Sequence, residues 1–264
     1  MLRFFHQLRQ RLLTDNKFSK YLLYAVGEVF LVMVGILLAL QVNNWNEDNK
    51  ERKLEVKYLK GLRADLEKDL KSLAFMRTYR QTANVTALKF LNAEKIEASF
   101  EAQQEFLEDF IKVHFWYEFT PNDNTFKELT SSGNLSILQN ESIKLGLLNL
   151  ESLHDEIKTG RDHMRREYDR YLYDQLVQYE EFALIDFEHL TKEGAYDILF
   201  VRDAPAEHLE HLAEDAAKML ANPVIRNGWK LAILNNSFLL ELYDRMVDQI
   251  DRIQIEIDNS LKNS

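Results

Sequence analysis

Residues 21–42, YLLYAVGEVFLVMVGILLALQV, form an unbroken apolar run that carries one ionisable group, Glu28. At 1.5 Å per residue this run makes about 33 Å of helix, against a hydrocarbon core of about 30 Å. Tyr21 and Tyr24 at one end, and Trp45 just past the other, suit the aromatic belts of a bilayer interface. The run is longer than the h-region of a secretory signal, about 7–15 residues, and no A-x-A site follows it. The expectation is a retained signal-anchor over residues 21–42. Residues 1–20 form a basic cytoplasmic segment ahead of it, and residues 43–264 one domain beyond it.

Charge sets the orientation. Residues 1–20 carry Arg3, Arg9, Arg11, Lys17 and Lys20 against Asp15 alone, a balance of +4. The whole chain stands at −10, so with Glu28 counted as −1 the domain after the span carries −13. Positive residues stay inside, which places the N-terminus in the cytoplasm and the acidic domain across the membrane. So acidic a surface repels anionic lipid and nucleic acid, and no nucleic-acid partner is expected. Leu2, Phe5, Leu8 and Leu12 share one helical face opposite the arginines, which fits an amphipathic helix on the inner leaflet; a basic tail that only sets topology fits equally well.

On a helix, Glu28, Val32, Gly35 and Ala39 follow at steps of four, three and four and share a face, with Gly27 beside it. Gly35-x-x-x-Ala39 is a small-xxx-small pair, which lets two membrane helices approach closely. An intramembrane carboxyl ordinarily faces a partner or water. Four roles for Glu28 stay open. It could bend toward the headgroups, hydrogen-bond in its protonated form across a homo-oligomer interface, pair with a polar group on another membrane protein, or line a proton or cation path. The shared face of Glu28 and the small residues favours the second.

The stretch KFSKYLLYAVGEVFLVMVGILLALQVNNWNE, residues 17–47, resembles the N-terminal signature of a Gram-negative bacterial family of single-pass membrane proteins whose domain has no assigned function. FKELTSSGNLSIL, later in the chain, is similar to another segment of that family. The resemblance implies an inner-membrane protein with a helical periplasmic domain, and implies no activity.

The domain itself reads as all-α. Three prolines and eight glycines in 264 residues leave long elements unpunctuated. Leu59, Leu62, Leu66, Leu70, Leu73 and Met76 form a core stripe on a first helix that runs from the span to about residue 92. Phe106, Phe110, Val113 and Tyr117 mark a second helix over about 100–117. Thr120-Pro121-Asn122-Asp123 reads as a helix start, with Thr120 as cap and Pro121 in the first position. Gly133 supplies the left-handed stop of that short helix. After the cap Asn140, a stripe from Ile143 to Leu176 predicts a third long helix to about Phe182. Residues 185–205 read as loop. A helix over about 205–220 follows, and Asn222-Pro223 opens a last one to about Leu261, striped by Leu239, Leu242, Met246, Ile250, Ile253 and Ile257. The expected architecture is one transmembrane helix followed by a long-helix bundle.

Chemistry is thin in this sequence. Without cysteine there is no disulfide, thiolate metal site or cysteine nucleophile. Phosphate-loop, dinucleotide and hydrolase-elbow motifs are absent from the sequence. Glu151-x-x-His154 has the spacing of carboxylate-bridged metal bundles, but those take two such pairs and two further glutamates, and only one clear pair occurs. His208-x-x-His211 has no defined third ligand. Solvated helix faces are the expectation for both, with no metal and no cofactor. Arg161, Arg165, Arg166 and Arg170 are helically spaced and offer an anion or partner contact; pairing with the domain's own carboxylates is the plainer expectation.

The function expected from all this is a non-enzymatic membrane-anchored scaffold in the bilayer. It would self-associate as a homo-oligomer or dock another membrane protein through Gly27, Glu28, Gly35 and Ala39. A periplasmic sensor or ligand-binding module is the alternative, although a cytoplasmic segment of 20 residues leaves no room for an output domain. An oligomeric ion or proton path lined by Glu28 comes third.

Overall fold

The computed structural model of the protein describes residues 18–179, 184–194 and 197–262. The expected N-terminal amphipathic face from Leu2 to Leu12 lies outside these residues. The chain divides into two compact units, residues 1–57 with Ser264, and residues 58–263.

Helix α1, Phe18–Asn92, is continuous through the apolar run and the leucine stripe. Its described part in the first unit presents large apolar side chains outward: Val29, Leu31 and Val42 are each more than 60% exposed, and so is Trp45.

In the second unit Leu59, Leu62, Leu66, Leu73 and Met76 are buried, as the stripe predicts, and Leu70 is half-buried. The turn after Asn92 leads to Ser99, which caps α2, Phe100–His114, by accepting from the Ala102 amide at 3.3 Å. Helix α2 stops three residues earlier than its periodicity predicts. Phe115 turns to extended backbone (φ −72°, ψ 136°), and side chains take over the carbonyls beyond the helix end. Tyr173 donates to the His114 carbonyl, Tyr79 to that of Phe115, and Arg80 Nη2 to that of Tyr117 at 2.6 Å. Hydropathy spacing cannot register such capture.

The start of α3, Asn124–Ser131, also differs from expectation. Thr120 and Pro121 precede the helix, and Asp123 in the cap position makes no side-chain capping bond. The caps come from α1 instead. Asp65 Oδ2 accepts from the Thr125 amide (3.0 Å) and hydroxyl (2.6 Å), and Asp69 Oδ1 accepts from the amide and side-chain NH2 of Asn122, both at 2.8 Å. Gly133, at φ 71°, stops α3 as expected, and a 3₁₀ turn, Asn134–Ile137, seats Leu138 in the core.

Asn140 caps α4, Glu141–Tyr168, by accepting from the Ser142 amide at 2.9 Å. The predicted third helix does not run on evenly. A π-helical turn, Asp169–Tyr173, interrupts it, and a last turn, Asp174–Leu176, follows. The predicted end at Phe182 lies outside the described residues. The extra residue in the π turn makes Leu172, not Tyr171, the fully buried member of the stripe.

The segment read as loop contains one antiparallel bridge, Ile185 to Phe200, and a short helix, Phe187–Leu190, capped by Asp186. Helix α5 spans Ala206–Ala221 and α6 Pro223–Lys262. Asn222 opens α6 by accepting from the Val224 amide at 2.9 Å. Every residue of the predicted α6 stripe is buried. The core joins Phe90, Phe106, Phe110, Leu172, Met219 and Trp229.

Helix α4 lies along α6, and the π turn presses against it at Gly228. A Cβ there would sit 2.6 Å from Leu172 Cδ2 and 2.9 Å from the Tyr171 carbonyl oxygen. The second contact is to backbone and cannot rotate away. Gly228→Ala is therefore expected to cost about 1–3 kcal/mol, read as a lower urea midpoint at unchanged slope. Gly160→Ala, whose Cβ would meet side-chain atoms alone, the Phe238 ring edge at 3.2 Å and Met164 Cε at 3.8 Å, is the milder comparison. Equal stability of the two variants would show that the π turn yields.

Candidate functional site

Three regions hold the residues marked out by the sequence. The first is the apolar part of α1. None of its most apolar 18-residue window is buried within the protein, and it is the one described helix long and apolar enough to cross a membrane. Glu28 is half-buried, Gly27, Gly35 and Ala39 are exposed, and a Cβ on Gly27 or Gly35 would meet nothing within 4 Å. The small-residue face is thus uncovered.

The second is the arginine row on α4. Arg161 Nη1 pairs with Glu118 at 3.1 Å and Nη2 with Asp162 at 3.2 Å, and Arg165 reaches the same Glu118 at 3.8 Å. Arg166 Nη2 approaches His163 Nδ1 at 3.4 Å, and the Arg170 guanidinium lies 5.9 Å from the Tyr171 ring centroid. The four therefore do not converge on one point. Two of them hold the acidic segment after α2.

The third is a cleft of about 270 Å³ between α1, α3 and α4, with α6 beneath. Leu62, Leu66, Phe126, Leu147 and Met246 line it and are buried, so they form its interior. Glu151, Asp155 and Lys127 line it and are exposed, so they stand at its mouth, with Asp123 and His154 half-buried between. Both members of the Glu151-x-x-His154 pair are here. Desolvation lowers the His154 pKa, and the Phe119 ring stands edge-on to it with centroids 6.5 Å apart. Among the described residues no three His, Asp or Glu side chains gather closely enough to hold a metal ion. His211 of the other pair lies 3.8 Å from Asp215.

Asp65 and Asp69, which sequence reasoning passed over, are the most buried polar groups of this cleft, at 8% and 5% exposure. Desolvation raises the Asp69 pKa, against the lowering effect of the two Asn122 hydrogen bonds. The signal was present: two aspartates one turn apart beside the Leu62–Leu66 stripe, where solvated residues do not belong.

Residues 28–183 match the family described as Family of unknown function (DUF6090). The chain belongs to this family. The matched stretch runs from Glu28 through α2, α3 and α4, and so includes the cleft residues on α1, α3 and α4 but not Met246. No curated protein and no solved structure matches the chain.

Outside these regions lies a buried polar centre that sequence reasoning also missed. Arg80, 2% exposed, donates from Nη1 to Asn236 Oδ1 at 3.0 Å, and its guanidinium lies 4.7 Å from the Trp116 ring centroid. His114, also 2% exposed, stands with Nδ1 2.8 Å from the Phe110 carbonyl and Nε2 3.3 Å from Trp229 Nε1. Indole can only donate, so Nε2 accepts and Nδ1 carries the proton, which fixes a neutral tautomer. Burial pushes the His114 pKa down to about 4. The unfolded chain, near 6.5, therefore binds more protons than the folded one between pH 4 and 6.5, and stability falls as pH drops through that window. The loss is on the order of 3 kcal/mol. His114→Gln should flatten this part of the stability–pH curve, measured by urea unfolding at several pH values. An unchanged slope would assign the acid sensitivity to other groups.

Proposed function

We propose that this member of the DUF6090 family is a membrane-anchored, non-enzymatic helical scaffold that self-associates through its apolar helix. The observation that carries the reading is the exposed apolar part of α1, with Gly27, Gly35 and Ala39 open to close approach. In water such a surface would be covered by protein; in lipid it is covered by acyl chains or by a like helix. The positive excess of residues 1–20 supports a single pass with the N-terminus in the cytoplasm of a bacterial inner membrane. The acidic bundle would then stand in the periplasm. A protonated carboxyl has one O–H donor besides its acceptor positions, so contacts of Glu28 within its own chain leave room for one across an interface. Protonated Glu28 would donate that bond.

Native mass spectrometry of the full chain in lipid nanodiscs tests this. A defined oligomer is expected, lost in Gly35→Leu, weakened in Glu28→Ala and kept in Glu28→Gln, which preserves a neutral hydrogen-bonding side chain. A monomer for the unaltered chain would overturn self-association.

A further inference from the structure

The cleft between α1, α3 and α4 has a polarity that selects a ligand. Its interior is apolar, and carboxyls are the commonest polar groups that line it: Asp65, Asp69, Asp123, Glu151 and Asp155. Of the two basic side chains that line it, Lys127 is 71% exposed and pairs with Asp123 at 2.9 Å, and His154 is half-buried with its charged form disfavoured by desolvation. A void of about 270 Å³ far exceeds the ~10–15 Å³ that a single water needs.

The decisive group is Asp69. It is 95% buried by its 5% exposure, and both of its hydrogen bonds, from the Asn122 amide and side-chain NH2, fall on Oδ1. Oδ2 accepts from no group among the described residues, and no cation pairs with this carboxyl. Its neighbour Asp65 differs, since its Oδ2 is taken up by Thr125 and its Oδ1 has Lys68 at 3.6 Å. Glu151 and Asp155 at the mouth likewise form no ion pair among the described residues. Asp69 Oδ2 is open to the solvent of the cleft rather than sealed in the core, and a positively charged donor arriving in the cleft can reach it.

We propose that the cleft is a binding site for a small organic ammonium ion with an apolar body. The ammonium donates to Asp69 Oδ2, Glu151 and Asp155 attract it at the mouth, and the apolar part rests on Phe126, Leu147 and Leu150. A bare divalent cation does not fit, because the carboxyls are spread around the cleft rather than convergent. This inference is independent of how the chain assembles in the membrane.

The test is calorimetric titration of the full chain in nanodiscs with phenethylammonium, against phenethyl alcohol and phenylacetate, with protein-free nanodiscs subtracted for partitioning. Phenethylammonium is expected to saturate one site per chain, at least about tenfold tighter than the alcohol, with no binding of the acid. Asp69→Asn keeps an acceptor for Asn122 and removes the charge, so it should weaken the amine about tenfold while leaving the circular-dichroism melt in place. Leu150→Trp, which fills the cleft and leaves every carboxyl, should abolish binding. Equal affinity for amine and alcohol, amine binding indifferent to both variants, or no heat above the protein-free control would each overturn the site.

Discussion

The segment 115–123 between α2 and α3, with the first turn of α3, draws its backbone partners from side chains elsewhere, and much of the second unit is arranged around that fact. Buried amides and carbonyls need partners, and an extended stretch packed against helices has none of its own. Side chains provide them: Tyr173, Tyr79 and Arg80 for the carbonyls of 114, 115 and 117, and Asp69 and Asp65 for the amides of 122 and 125. Four of these five donors and acceptors sit on α1. The leucine stripe of that helix therefore does only half of its packing. The rest is polar and directional, and it fixes the path of the segment that roofs the cleft.

The same device explains a buried arginine with no carboxylate beside it. Removing a guanidinium from water costs several kcal/mol unless its donors are met. Arg80 meets them with the Tyr117 carbonyl and the Asn236 amide oxygen, and its flat face lies by Trp116, where the ring quadrupole favours a cation. Its Nε remains without a partner. Desolvation keeps buried His114 from taking up a second proton, against the raising effect of its hydrogen bond to the Phe110 carbonyl.

Wherever one face of a helix decides the outcome, the sequence is transparent. The α6 stripe, the caps Asn140 and Asn222 and the stop at Gly133 all follow from spacing or local chemistry, and each occurs in the structure. Legibility fails where distant residues decide. Thr120-Pro121 has the form of a helix start, yet Asp65 and Asp69, more than 50 positions away, move the start to Asn124. The π turn packs closely against Gly228, far along the chain, a contact that nothing in DRYLY announces. The cleft was half legible. Glu151 and His154 stand out by a metal spacing that no third ligand joins among the described residues, while the aspartates at its heart hide beside the leucines of the core stripe.

Asp69 concentrates the tension between folding and use. Its structural task, accepting two hydrogen bonds from Asn122, needs a single carbonyl-like oxygen. An uncharged amide could do that at a lower desolvation cost, since burying a carboxylate is far more expensive than burying an amide. Burial shows the strain directly, by raising the acid's pKa despite both hydrogen bonds. A charge that the fold does not require, kept next to an apolar void with one oxygen open to the cleft, stands where a cation entering the void would meet it. Perturbed carboxyls in clefts are the usual mark of a site for that reason. The bundle holds Asp69 where helix packing would place a leucine, and the cleft gives that placement its purpose.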